Sequence, residues 1–186
     1  MGATPEPFDL VLFGGTGDLA MRKLLPALYR RHCAGQLPPD GRIIATGRSE
    51  MTTPAFLSRV EEHFAETLSD EEFNSPDRED FTQRLSYQQV DASDVIGFDA
   101  LGTALAGREQ VTRVFYLAVA PQHFVTICQQ LHAHDLVSAN ARVVLEKPLG
   151  HDLPRPSALV NRSVRSLMKM RFTASITISA RKPFKT

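Results

Sequence analysis

The stretch Gly14-Gly15-Thr16-Gly17-Asp18-Leu19-Ala20 is the part of the chain whose residue types and spacing best suit chemistry. It holds the pattern G-x-G-x-x-A as Gly15, Gly17 and Ala20, directly after the apolar run Phe8 to Phe13 and before a helical pattern. Glycines there let backbone N–H groups approach a pyrophosphate, and the following helix N-terminus adds partial positive charge. A plain glycine turn is the competing reading of so short a motif; its place between a strand and a helix favours nucleotide binding. The next informative position closes the second β-rich run, which ends Ala45-Thr46-Gly47-Arg48. An acidic residue there would hydrogen-bond the free ribose 2′-hydroxyl of NAD, whereas a guanidinium suits the 2′-phosphate of NADP. NADP is the expected cofactor on this reading. A solvated surface arginine is the alternative for Arg48, and Glu50 keeps NAD open.

These positions need a scaffold, and the body of the chain supplies its pattern. Short β-rich runs alternate with longer helical ones, which predicts βα units and a mostly parallel sheet. Strands are expected at Phe8 to Phe13, Arg42 to Thr46, Leu85 to Val90, Arg113 to Leu117 and Arg142 to Leu145. A helix over Leu19 to Cys33 places Leu24, Leu25, Leu28 and Cys33 near one face, and a second sets Phe56, Val60 and Phe64 together. Further helices are expected at Asp70 to Asp80, Phe98 to Ala106 and Phe124 to Ala133.

With 186 residues and ordinary apolar and charged fractions, the chain has room for one domain with a full core plus a tail. No run approaches the roughly 20 apolar residues that span a bilayer, and the N-terminus lacks a basic and apolar leader pattern, so a cytoplasmic location is expected. Cys33 and Cys128 read as buried structural thiols, and no metal ligand set is expected.

The motifs GGTGDLAMRKLLPALYRR, GRSE, VFYLAVAPQHF and VVLEKPLGHD together resemble the glucose-6-phosphate dehydrogenase family, over the body to about Asp152. The resemblance implies a Rossmann-like, doubly wound α/β coenzyme domain, truncated before the substrate domain. It implies an enzyme that oxidises C1 of glucose 6-phosphate with hydride passing to NADP, giving 6-phosphogluconolactone in the pentose phosphate pathway. Carried over, Gly14, Gly15, Thr16, Gly17, Asp18 and Leu19 hold the pyrophosphate and Arg48 the 2′-phosphate. Tyr116, Ala118 and Pro121 border the dinucleotide, and Lys147 orients the sugar against the nicotinamide. A solvated strand-end charge is the other reading of Lys147. Ala120 stands where relatives often carry a proline, which leaves the geometry of the bond to Pro121 open. In the family a His base takes the C1 hydroxyl proton while an Asp stabilises the imidazolium. None of His32, His63, His123, His132, His134 or His151 occupies that motif, so the chain is expected to bind NADP weakly at best and turn over nothing. A stand-alone NADP-binding module is the alternative. Neither nucleic acid nor membrane is an expected partner. The family is usually homo-oligomeric, and this chain is not expected to assemble normally.

The charge pattern breaks near Leu153. All 21 acidic residues lie at or before Asp152, whereas residues 154–186 hold eight basic residues and no acidic one. This divides the chain into an NADP-binding domain at residues 1–152 and a basic tail at residues 153–186. The tail carries only Phe172 and Phe184 among its basic residues and no convincing amphipathic helix, which argues against nucleic-acid or lipid binding. Codons compatible with Ala174 to Lys182, displaced by one base, read R-I-D-H-Y-L-G-K-E, the family's sugar-phosphate motif. Restoring one base near Leu153 likewise gives L-A-S-A after G-H-D. The tail is therefore expected to be out of frame. Resequencing the coding DNA from the Glu146 codon onward should reveal one further G near the Leu153 codon and an open frame through that motif; DNA that stands as written refutes it.

Overall fold

The computed structural model describes residues 6–92, 95–145 and the backbone of 171–172. Its elements in order are β1 (Phe8–Phe13), a π-helical turn (Ala20–Leu24) running into α1 (Leu25–Cys33), β2 (Arg42–Gly47), α2 (Thr53–Thr67), α3 (Asp70–Phe73), α4 (Asp77–Thr82) and β3 (Leu85–Gln89). There follow α5 (Val95–Leu105), β4 (Thr112–Leu117), a 3-10 turn (Pro121–His123), α6 (Phe124–Ala133), β5 (Ala141–Leu145) and β6 (Arg171–Phe172). The strands form one sheet in the order β3-β2-β1-β4-β5-β6, and every pairing is parallel. The chain walks from β1 outward to β3, then crosses back to β4 on the other side of β1. That reversal is the switch point of a doubly wound fold, and it puts helices on both faces.

The run FDLVLF shows why β1 is central: both of its faces are apolar, as a strand covered on two sides requires. Val11 and Phe13 join Phe98 and Leu101 of α5 and Ile127 and Leu131 of α6 in one core. Leu10 and Leu12 join Leu25 and Tyr29 of α1, Phe56 and Phe64 of α2 and Phe81 of α4 in the other. Phe13 stacks on Phe98 at 6.1 Å, and Tyr29, Phe64 and Phe81 form an aromatic cluster with centroids 5.4–6.2 Å apart.

Two polar devices hold the layers in register. Asp9 is fully buried, and its carboxylate accepts Arg42 Nε and Nη2 at 2.9 and 3.0 Å and Arg108 Nε at 3.0 Å. Buried Arg113 donates to the carbonyls of Leu136 and Leu105 at 2.9 and 3.0 Å, next to the ends of α6 and α5. Both lie on the N-terminal half of the sheet, in register with each other on β1 and β4.

The expected helix Asp70 to Asp80 is two helices instead. Pro76 lacks the N–H that would continue α3 and disfavours helical geometry at Ser75, so α3 ends after Phe73 and α4 starts at Asp77. The first helix is not uniform either, since its opening five residues form the π-helical turn. Cys33 is exposed at the end of α1, against the expectation of a buried thiol, whereas Cys128 is buried. The alternating run from Ser175 to Ser179, which reads as a strand without an obvious partner, lies outside the described residues.

Between Ser69 and Glu72 a reciprocal capping box starts α3, and Glu72 also takes Arg30 Nε and Nη2 at 2.7 and 3.2 Å. The Arg30 hydrogen bonds hold the Glu72 carboxyl at about 2 against the opposing effect of burial, with the Ser69 N–H adding to the drop. A folded pKa below the ordinary 4.5 means the stabilisation is complete above about pH 4.5 and lost as pH falls toward 2. Glu72→Gln should cost about 1 kcal/mol at pH 7. It should also flatten the pH dependence of the thermal midpoint between pH 5 and 2, read by circular dichroism.

Candidate functional site

At the C-terminal edge of the sheet, β1 runs into a turn that excludes side chains. Gly14 has φ +78°, and a Cβ on it would lie 2.4 Å from the Ala118 carbonyl oxygen at the end of β4. Gly15 faces β2, where a Cβ would lie 2.6 Å from the Ala45 Cβ. Backbone hydrogen bonds close the same region: Gly15 N–H donates to Thr46 O at 2.8 Å, Ala118 N–H to Phe13 O at 2.9 Å and Gly17 N–H to Gly14 O at 2.9 Å. Ala20 is fully buried where the helix leaves the turn. The left-handed position is thus Gly14, one residue ahead of the G-x-G-x-x-A register, while Gly15 and Ala20 serve close packing. The first N–H groups of a helix have no intrahelical acceptor, so the turn presents donors to whatever lies in front of it.

What lies in front is an open cleft of about 750 Å³. Gly14, Thr16, Gly17, Arg48 and Ala118, all expected at the site, line it. Gly15 is buried behind the turn, and Asp18 points outward to pair with Arg22 at 2.7 Å. Leu19 and Pro121 are not on the lining either, although Ala120 and Gln122 beside Pro121 are. Tyr116 sits within β4 and packs against the core formed by α1, α2 and α4. Lys147 lies outside the described residues. The bond to Pro121 is trans.

The lining also includes residues that motif reading passed over: Thr46 from β2, Val90, Asp91 and Ala92 after β3, and Gln122, His123 and Thr126 around the 3-10 turn. Their common signal is position, because each follows or ends a strand at the carboxyl edge next to the switch point. Among the described residues, His123 is the histidine that reaches the cleft, and it is exposed. His32 and His134 sit at core edges instead, beside Phe81 and Phe98 at 5.6 Å. Burial, then the Arg84 charge, lowers the pKa of His32.

The profile described as "Glucose-6-phosphate dehydrogenase, NAD binding domain" matches residues 11–171 of this chain. The chain belongs to the glucose-6-phosphate dehydrogenase family. It is 44% identical over 154 residues to glucose-6-phosphate 1-dehydrogenase of Rhizobium meliloti (strain 1021), a match covering 83% of this chain and 31% of that protein. It is 41% identical over 156 residues to the Gluconobacter oxydans (strain 621H) enzyme, covering 83% of this chain and 32% of the relative. The solved structure of glucose-6-phosphate 1-dehydrogenase from Mycobacterium avium superposes with a TM-score of 0.72 at 29% identity, over 91% of this chain and 36% of that one. The chain thus spans about a third of the length of the curated relatives it matches. Among the described residues, no helix is long and apolar enough to cross a membrane.

Because Gly14 combines a left-handed φ with a 2.4 Å approach to Ala118 O, Gly14→Ala should destabilise the chain by about 1–3 kcal/mol. Urea unfolding checks this, with Gly35→Ala as the control: it shares the positive φ but has open space around its Cβ, so it should cost less.

Proposed function

We propose that this chain forms the coenzyme-binding part of an NADP-dependent glucose-6-phosphate dehydrogenase, and that its cleft takes NADP. The observation that carries the reading is the placement of Arg48: it lines the same cleft as the glycine turn, at the C-terminal end of β2, whereas Glu50 does not line it. A dinucleotide fits this site physically, because the bare backbone of Gly14 and Gly17 lines the cleft and the helix N-terminus behind the turn favours phosphate.

The turn from Gly14 to Leu19 would hold the pyrophosphate through those N–H groups not already given to Thr46 O and Gly14 O, and the Arg48 guanidinium would pair with the 2′-phosphate. Ala118, Val119 and Ala120 would border the dinucleotide beyond the pyrophosphate; the role first expected of Tyr116 and Pro121 passes to these cleft residues. Once bound, the nicotinamide supplies a hydride acceptor. Lys147 would orient the sugar. Substrate oxidation further requires a general base and sugar-phosphate ligands, and none of the chain's histidines stands in the family's motif for that base. We therefore assign dinucleotide binding, without turnover, to the 186-residue chain. Residues 153–186 are proposed to be out-of-frame sequence, on the strength of their charge break and displaced motif.

Calorimetric titration of the purified chain tests this. NADP should bind more tightly than NAD, and Arg48→Ala should weaken NADP by roughly 10- to 100-fold, the worth of one charge-assisted contact, with NAD changed by less than about twofold. Equal NADP affinity in Arg48→Ala, or NADPH formation by the chain on glucose 6-phosphate, overturns it.

A further inference from the structure

The residue after β2 is held from behind by a strand that does not itself enter the cleft at that point. Tyr87, on β3, is buried, and its hydroxyl lies 2.5 Å from Ser49 O and 3.0 Å from Gly47 O. One O–H thus spans the two carbonyls that flank Arg48. The carbonyl between them is taken as well, since Gln89 Nε2 donates to Arg48 O at 3.0 Å. Three successive carbonyls, Gly47, Arg48 and Ser49, are therefore gripped by two side chains of β3, with Val90 N–H adding a second bond to Gly47 O at 2.9 Å.

The Tyr87 ring is itself immobilised. It stacks on Phe56 of α2 at 5.6 Å with 27° between the planes, and its backbone N–H donates to Thr53 Oγ1 at 3.1 Å. The grip also adjoins the glycine turn. A Cβ on Gly47 would lie 2.9 Å from Thr16 Oγ1 and 3.1 Å from the Tyr87 hydroxyl, so the bare Gly47 lets the turn and Tyr87 converge on one point. Burial raises the pKa of Tyr87, opposed by the Arg59 charge, so the hydroxyl stays protonated as a donor.

We propose that Tyr87, assisted by Gln89, is the positioning residue for Arg48, fixing the loop 47–49 so that the guanidinium is presented to a 2′-phosphate at the cleft rim. This rests on the NADP reading above. The physical logic is preorganisation: Arg48 is exposed and has a long flexible side chain, so ordering its backbone in advance lowers the entropy lost when the anion binds. Tyr87 is not itself on the cleft lining and acts through the loop, beginning at its bond to Gly47.

The test compares Kd values for NADP, NAD and 2′,5′-ADP in the parent chain and in Tyr87→Phe, Gln89→Ala and Arg48→Ala. Tyr87→Phe keeps the ring on Phe56 and removes only the hydroxyl. It should weaken NADP and 2′,5′-ADP by about three- to tenfold, the worth of a neutral hydrogen bond, while NAD stays within about twofold. Gln89→Ala, at an exposed position, should act in the same direction and decides the matter if Tyr87→Phe fails to fold. In an Arg48→Ala background neither change should alter the NADP to NAD ratio further. An unchanged ratio in the folded variants, or equal weakening of NADP and NAD, overturns the positioning role. If Arg48→Ala itself leaves the ratio unchanged, the underlying NADP reading has failed instead.

Discussion

The structure depends on a volume in which no side chain fits, at the point where β1 ends between its two neighbours. The Ala118 carbonyl from β4 approaches the Gly14 backbone from one side and Ala45 of β2 approaches Gly15 from the other. Any Cβ there would force β1 away from one neighbour and cost the hydrogen bonds from Ala118 N–H to Phe13 O or from Gly15 N–H to Thr46 O. The same bareness leaves Gly14 on the cleft lining beside Gly17. One constraint therefore serves sheet closure and the shape of the cleft together.

The two edges of the sheet divide stability from binding. At the N-terminal half, the Asp9 carboxylate is enclosed by Arg42 and Arg108, and Arg113 caps carbonyls at the ends of α5 and α6. Removing one partner from such a buried set leaves an uncompensated charge, so the cluster makes alternative registers costly. A cationic side chain at helix C-termini also suits the helix dipole. At the C-terminal edge, among the described residues, an open cleft takes that place. Backbone turns, an exposed arginine and short polar residues border the cleft there. Paired charges tie the first edge shut, and glycine and helix N-termini keep the second one open.

Where local physics is strong, the sequence was enough. The five strands of the body lie within about a residue of their expected bounds, because parallel strands buried on two faces read as short apolar runs between turns. The glycine turn was legible for the same reason: only a strand followed by a helix gives that motif weight. Where two local rules competed, reading was poorer. The acidic stretch around Asp70 looked like one helix, yet Pro76 and the Ser69 capping box make it two. Cys33 looked apolar by its helix pattern but falls at the exposed end of α1, past the last turn that the core covers.

By itself, then, the sequence determined the α/β class, the order of the strands along the chain, the glycine turn after β1 and the arginine at the end of β2, since each is encoded in adjacent residues. Only the tertiary structure decided which strands become neighbours, that Gly14 carries the left-handed turn, and that Asp91, His123 and Thr126 share a cleft with Arg48. It also decided that Tyr87 sits behind Arg48, 39 positions away in sequence yet bonded to both flanking carbonyls. The physical reason is that parallel pairing joins residues separated by a whole crossover. The partners of β2 are therefore set by sheet order and register, which no local pattern in the chain spells out.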